Sequence, residues 1–142
     1  MKTYTLGFIF DSTMSKVLLI HKQRPDWQKG KLNGIGGKIE PGEESVACLV
    51  REVLEETGIK TNKNAWMYFN RIQGPEYWVD CYAVIHAGKL SAASTMTDEV
   101  IDWFDAKNIP IHAISNLRWL IPLAVDKLEH NKFHYSSVHY KE

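Results

Sequence analysis

Residues Gly37 to Ile59 read GKIEPGEESVACLVREVLEETGI, and more can be inferred from them than from any other part of the chain. A glycine and a Pro41-Gly42 turn lead into a helical segment. Glu52, Glu55 and Glu56 are spaced i, i+3 and i+4, so their side chains share one helical face. Val46, Leu49, Val50 and Val53 fall at i, i+3, i+4 and i+7 and form a separate apolar face. One side of the helix therefore docks on a core while the neighbouring side presents carboxylates. Gly58 stands where a left-handed residue closes the last turn. Three crowded carboxylates repel one another unless a cation sits among them, and hard oxygen ligands of this kind suit Mg²⁺ or Mn²⁺. The competing reading is a solvated acidic face. The register of the glycine turn, Glu43, Arg51 and Gly58 favours the metal site. So does local charge, with Glu40, Glu43, Glu44, Glu52, Glu55 and Glu56 set against Arg51 alone.

Gly37, Glu43, Arg51, Glu52, Val53, Glu55, Glu56, Gly58 and Ile59 match every fixed position of G-x5-E-x7-R-E-U-x-E-E-x-G-U, where U is a bulky aliphatic residue. This pattern resembles the signature of the Nudix hydrolases. The resemblance implies an α/β fold, the Nudix α/β/α sandwich with a mixed sheet. It also implies a metal-dependent hydrolase that cleaves a nucleoside diphosphate linked to another group.

The 142 residues suit a single domain spanning 1–142. Seventeen basic and seventeen acidic residues give zero formal charge, which argues against a duplex nucleic acid partner and leaves room for a small nucleotide. No segment has the length or apolarity to cross a membrane. The start, Met1 to Phe10, alternates like a strand and lacks a cleavage-site pattern, so a signal peptide is not expected. Cys48 and Cys81 are isolated and read as reduced thiols, which points to the cytoplasm. None of the six histidines has a zinc-ligand spacing.

Strands are expected over Tyr4–Phe10, Val17–His21, Trp66–Ile72, Tyr77–Ile85, Val100–Phe104 and Phe133–Tyr140, the first two as a hairpin. His134 and His139 then fall on opposite faces of the last strand. Lys22–Lys31 reads as a polar loop, either simply solvated or a cationic wall for a polyphosphate. Asn33–Gly37 lacks phosphate-loop spacing and serves best to let backbone approach a metal or phosphate. Ile114, Leu117, Ile121, Ala124, Val125 and Leu128 mark a second helix, with Pro122 in its first turn or kinking it.

Beyond the signature, the segment KLNGIGGK, with Asn33 four residues before Gly37, is similar to the RWNGFGGK segment of eukaryotic oxidised-purine nucleoside triphosphatases. Trp119-Leu120-Ile121-Pro122-Leu123 and Lys132-Phe133-His134 resemble that branch as well. This chain departs from it where a tryptophan and two aspartates would read the base, having Ala113, Ser115 and Asn116 there. Asn116 instead fits the asparagine at the start of the last helix in bacterial MutT-like enzymes. Its competing reading is a helix N-cap; that of Asn33 is a turn residue.

The resemblance implies a MutT-like nucleoside triphosphate diphosphatase that cleans an oxidised purine such as 8-oxo-dGTP from the nucleotide pool. The alternatives are another nucleoside diphosphate derivative (a pyrimidine triphosphate, a nucleotide sugar or a dinucleoside polyphosphate) or a nucleotide-binding regulator without catalysis. The expected catalytic set is Glu52 as general base, Glu55 and Glu56 as ligands, Arg51 as their orienting cation and Glu99 as a further carboxylate. A solvent-exposed loop glutamate is the other reading of Glu99. The expected metal site is Gly36, through its carbonyl, with Glu52, Glu55, Glu56 and Glu99. Lys22 and Lys38 are assigned to phosphate, Asn33 and Asn116 to the base.

Overall fold

The computed structural model describes residues 1–141. Its strands are β1 (Lys2–Asp11), β2 (Lys16–His21), β3 (Leu32–Asn33), β4 (Ile35–Lys38), β5 (Met67–Gln73), β6 (Tyr77–His86), β7 (Ile101–Asp105) and β8 (Ser136–His139). Helix α1 (Ser45–Thr57) lies between β4 and β5, and α2 (Leu117–His130) between β7 and β8. β1 is the hub of the sheet. The parallel strand β6 follows one of its edges from the Lys2–Tyr77 pair to the Asp11–His86 pair. Antiparallel β4 and β2 divide its remaining pairings, β4 meeting Tyr4 to Gly7 and β2 meeting Ile9 and Phe10. β5 pairs antiparallel with β6, β8 parallel with β5, and β3 and β7 antiparallel with β2. The sheet is thus mixed.

The strand period of two sorts side chains to opposite faces. Leu6, Phe8 and Phe10 of β1, Val17 and Leu19 of β2, and Cys81 and Ala83 of β6 form one core with Leu117, Leu120, Ile121 and Ala124 of α2. Ile9, Leu18, Ile20 and Val84 form the other, with Leu49 and Val53 of α1 and Trp66. Leu49 and Val53 are fully buried, each worth roughly 1.5–3 kcal/mol relative to exposure. The α1 stripe read from sequence therefore seats the helix on the sheet. The chain is an α/β/α sandwich, with α1 and α2 on opposite faces. Among the described residues no helix is long and apolar enough to cross a membrane.

Two expectations change and two open readings narrow. Ile35–Lys38, which was not among the expected strands, is one, because pairing with β1 overrides the poor strand propensity of its two glycines. Of the two readings of Pro122, the first-turn one falls away, since it is the sixth residue of α2. Its missing N–H forgoes a bond to the Arg118 carbonyl within the helix. The last strand is shorter than Phe133–Tyr140, and His134 lies outside it while His139 closes it. Glu99 is only 4% exposed, which removes the solvent-exposed reading that competed with its place in the site.

Candidate active site

The carboxylates of α1 stand beside β4. A Cβ on Gly37 would lie 2.6 Å from Glu52 Cδ, so the bare glycine makes room for the Glu52 carboxyl. The strand between α1 and β1 has to be glycine at its other position too, since a Cβ on Gly36 would run into the Thr5 backbone carbonyl. Gly58 ends α1 with φ of 76°, and its N–H donates to the Leu54 carbonyl, as the left-handed cap expected from sequence.

Arg51 organises the acidic cluster. Its Nε and Nη2 donate to the two oxygens of Glu43 at 2.9 and 3.1 Å, a bidentate pair. Nη1 reaches Glu52 Oε1 at 3.0 Å and Glu55 Oε2 at 3.5 Å. The Arg51 hydrogen bonds, with one from the Glu40 side of the turn, hold the Glu43 carboxyl down at about 2. Glu43 thereby clamps the Pro41-Gly42 turn to α1, a role its place in the signature does not by itself reveal. Burial raises Glu52 against the counteracting Arg51 charge. Burial, then the Glu52 charge, pushes Glu56 up to about 8, with Glu99 and Glu55 adding and Lys22 opposing.

Glu56 Oε2 is buried without a hydrogen-bond partner. A buried acceptor in that state costs about 1–3 kcal/mol. Hard oxygen donors around an orphaned carboxylate oxygen are the setting a divalent cation fits. Among the described residues, no three His, Cys, Asp or Glu side chains are gathered at ligand spacing as they stand. Arg51 is paired with Glu52 and Glu55, and Lys22 with Glu99.

Glu99 is the anchor of the loop after β2. Its Oε1 accepts from Lys22 Nζ at 3.2 Å, and its Oε2 from the Gln23 N–H at 2.7 Å and the Arg24 N–H at 3.3 Å. Arg24 also pairs with Asp98. The loop so fixed carries Trp27 and Gln28 to the rim of a cleft of about 960 Å³. Leu6, Ile72, Tyr77, Val79 and Ile114 give that cleft apolar walls; Lys2, Lys22 and Lys38 give it positive charge; Gly36 and Gly37 connect it to the carboxylates.

Asn33 and Asn116 line the same cleft. The chain brings them there by running residues 112–114 beside β3, where the Ile114 N–H donates to the Leu32 carbonyl at 2.9 Å. Asn33 is tied at both ends, its Nδ2 to Gln28 Oε1 at 3.1 Å and its Oδ1 to the Gly34 N–H at 2.8 Å. Asn116 occupies the N-cap position of α2 but makes no side-chain cap bond. Sequence reasoning missed Trp27, Gln28, Tyr77 and Tyr140 as cleft residues. Trp27 carried a signal, a large aromatic in an otherwise polar loop. Tyr140 carried none.

A family model described as the NUDIX domain matches residues 2–135. The chain belongs to the Nudix family. Three solved structures superpose on most of its length. One comes from work on MutT of the fish pathogen Aliivibrio salmonicida and of Vibrio cholerae; it is 22% identical, with 88% of this chain and 98% of that one covered and a TM-score of 0.68. An ADP-ribose pyrophosphatase from Streptococcus suis is 16% identical, with 96% and 98% covered and a TM-score of 0.73. The NUDIX domain of Shewanella oneidensis NrtR, solved with ADP ribose, is 16% identical, with 89% and 87% covered and a TM-score of 0.72. At these identities the likeness establishes the Nudix fold. The family assignment supports hydrolase chemistry on a small-molecule nucleotide.

Proposed function

We propose that this Nudix chain is a divalent-metal-dependent nucleoside triphosphate diphosphatase, converting a triphosphate and water to a monophosphate and pyrophosphate, with an oxidised purine nucleotide such as 8-oxo-dGTP as its substrate. The observation that carries the metal-dependent reading is the partnerless, buried Glu56 oxygen in a cluster of carboxylates. The cleft beside it suits a nucleotide, with apolar walls for a base and lysines where phosphates would enter.

Glu52, Glu55 and Glu56 would hold Mg²⁺ or Mn²⁺ with the Gly36 carbonyl. Glu99 would join them only by releasing donors it already serves. When bound, such an ion stabilises charge on the phosphates and lowers the pKa of water. Glu52, beside Gly37, accepts the proton of the attacking water as general base. Arg51 orients Glu52 and Glu55, while Lys22 and Lys38 bind the polyphosphate. Asn33 and Asn116 read the base, for which an amide offers both a donor and an acceptor.

A turnover screen over nucleoside triphosphates, 8-oxo-dGTP, ADP-ribose and dinucleoside polyphosphates, with Mg²⁺ or Mn²⁺ and with product identification, tests the assignment. Glu52→Gln and Glu56→Gln should each lower kcat by about 10² or more. Wild-type rates in both folded variants would refute the site. Preference for ADP-ribose, or for a pyrimidine triphosphate, would leave the hydrolase and remove the sanitising role.

A further inference from the structure

The amide of Asn33 is fixed at one end by a group that can only donate. Its Oδ1 accepts from the Gly34 backbone N–H at 2.8 Å. Its Nδ2 therefore points the other way, to Gln28 at 3.1 Å, and the Gln28 atom that meets this donor is the acceptor Oε1. The nitrogen of the Gln28 amide is left at the far end. Among the described residues Nε2 has no hydrogen-bond partner, and it is not one of the sealed polar atoms. Gln28 is half-buried and lines the cleft. Its backbone is held as well: its N–H donates to the Pro25 carbonyl and its carbonyl accepts from the Lys31 N–H, both at 2.9 Å. Glu99 holds the root of the same loop. Asn116 is not fixed in this way. Its Nδ2 meets the Tyr140 hydroxyl at 3.3 Å, a group that both donates and accepts, and its Oδ1 is buried without a partner.

We propose that Gln28 is a specificity-determining residue, which presents its amide N–H groups to the six-position of a purine and so selects a 6-oxo base over a 6-amino base. The inference rests on the cleft being the nucleotide site proposed above. A primary amide nitrogen carries two N–H groups and accepts nothing. One N–H of Asn33 Nδ2 remains uncommitted close by, so this corner of the cleft is rich in donors. Guanine and hypoxanthine carry a carbonyl oxygen at C6, which accepts from such a corner. Adenine carries an amino group there, and two donors then face each other with neither satisfied. The order of control runs along the chain: Gly34 sets Asn33, Asn33 sets Gln28, and the anchored loop places Gln28 in the cleft wall. An oxidised guanine keeps its C6 carbonyl, so this selection acts independently of the change at C8.

The test compares kcat/KM for dITP and dATP, which differ only in the C6 substituent and the N1 proton that accompanies it. Calorimetric affinities for dIMP and dAMP without added metal give a second readout, free of chemistry. Wild type should favour the 6-oxo nucleotide by roughly 5- to 150-fold, the effect of leaving buried donors unpaired. Gln28→Glu keeps an acceptor for Asn33 Nδ2 but turns the donor end into an acceptor. It should bring the ratio to one or below. Repulsion between the new charge and the phosphates is common to both nucleotides and cancels in the ratio. Gln28→Met removes the donor without supplying an acceptor, and should lower the ratio by about 2- to 12-fold, less than Gln28→Glu. The monophosphate affinities should follow the same order, and thermal melting checks that both variants fold. A wild type without preference, an unchanged ratio in Gln28→Glu, or an equal fall in the two variants would overturn the proposal and leave the diphosphatase standing. A wild type that hydrolyses no nucleoside triphosphate would instead remove the reading of the cleft, and this inference with it.

Discussion

Glu56 is half-buried, its Oε2 has no hydrogen-bond partner, and the charges of Glu52, Glu99 and Glu55 bear on it. Burial raises its pKa from 4.5 to about 8, so the folded protein holds this proton over a pH range in which the unfolded chain has released it. A native state that binds the extra proton loses stability as pH rises through that range. The metal-free protein should accordingly weaken between about pH 4.5 and 8, by at most about 1.4 kcal/mol per pH unit from this group. Glu56→Gln should flatten the dependence, because the amide never ionises. Mg²⁺ should raise Tm more at pH 8 than at pH 6, since the ion favours the ionised carboxyl. Urea unfolding as a function of pH, with and without Mg²⁺, checks both points; an equal slope in Glu56→Gln would remove Glu56 as its source. Glu43 has the opposite sign. Arg51 holds it at about 2, so its stabilising effect is present above pH 4.5 and fades as pH falls toward 2.

At the scale of elements, α1 was legible because its periodicities are local. The apolar stripe, the carboxylate face and the Gly58 cap all follow from spacing within thirteen residues. β4 was not, because a four-residue stretch with two glycines carries no strand pattern, and only the β1 edge supplies its partner. The buried setting of Glu99 depends on a loop more than seventy positions away in sequence, and the Tyr140 contact on a strand returning beside β5. The N-cap reading of Asn116 and the turn reading of Asn33 were separated only by seeing which atoms each amide engages. The two adjacent glycines of β4 offer a test of how the element holds the site. Gly36→Ala drives a methyl into the β1 backbone, which cannot yield without losing the pairing, and should cost about 3 kcal/mol or more. Gly37→Ala meets a flexible carboxyl instead. It should cost less stability but shift Glu52, lowering kcat by about 10- to 100-fold. Urea midpoints and turnover of the two variants separate these outcomes. Wild-type kcat in Gly37→Ala would show that the position of Glu52 against β4 does not matter for the chemistry.

At the scale of the whole molecule, one sheet serves two cores. β1 sends Leu6, Phe8 and Phe10 to α2 and Ile9 to the α1 side, so neither core can open without disturbing strands that the other requires. The two cysteines report on this arrangement. Cys81 belongs to the α2 core, and Cys48 sits on α1, its Sγ 3.5 Å from the Lys38 carbonyl oxygen. Both are free and buried, and burial pushes each thiol up to about 12. At pH 8 the thiolate, the form that reacts, is then present at roughly one part in 10⁴. A disulfide reagent at pH 8 should label neither thiol of the native protein within minutes and both in concentrated guanidinium. Longer exposure tests the shared sheet. If opening is global, the two sites should label at one common slow rate, set by the unfolding equilibrium rather than by the local environment of each thiol. A Cys48 that reacts well ahead of Cys81 would mean that α1 lifts from the sheet by itself. The carboxylates it carries would then owe their geometry to an element less stable than the core beneath it.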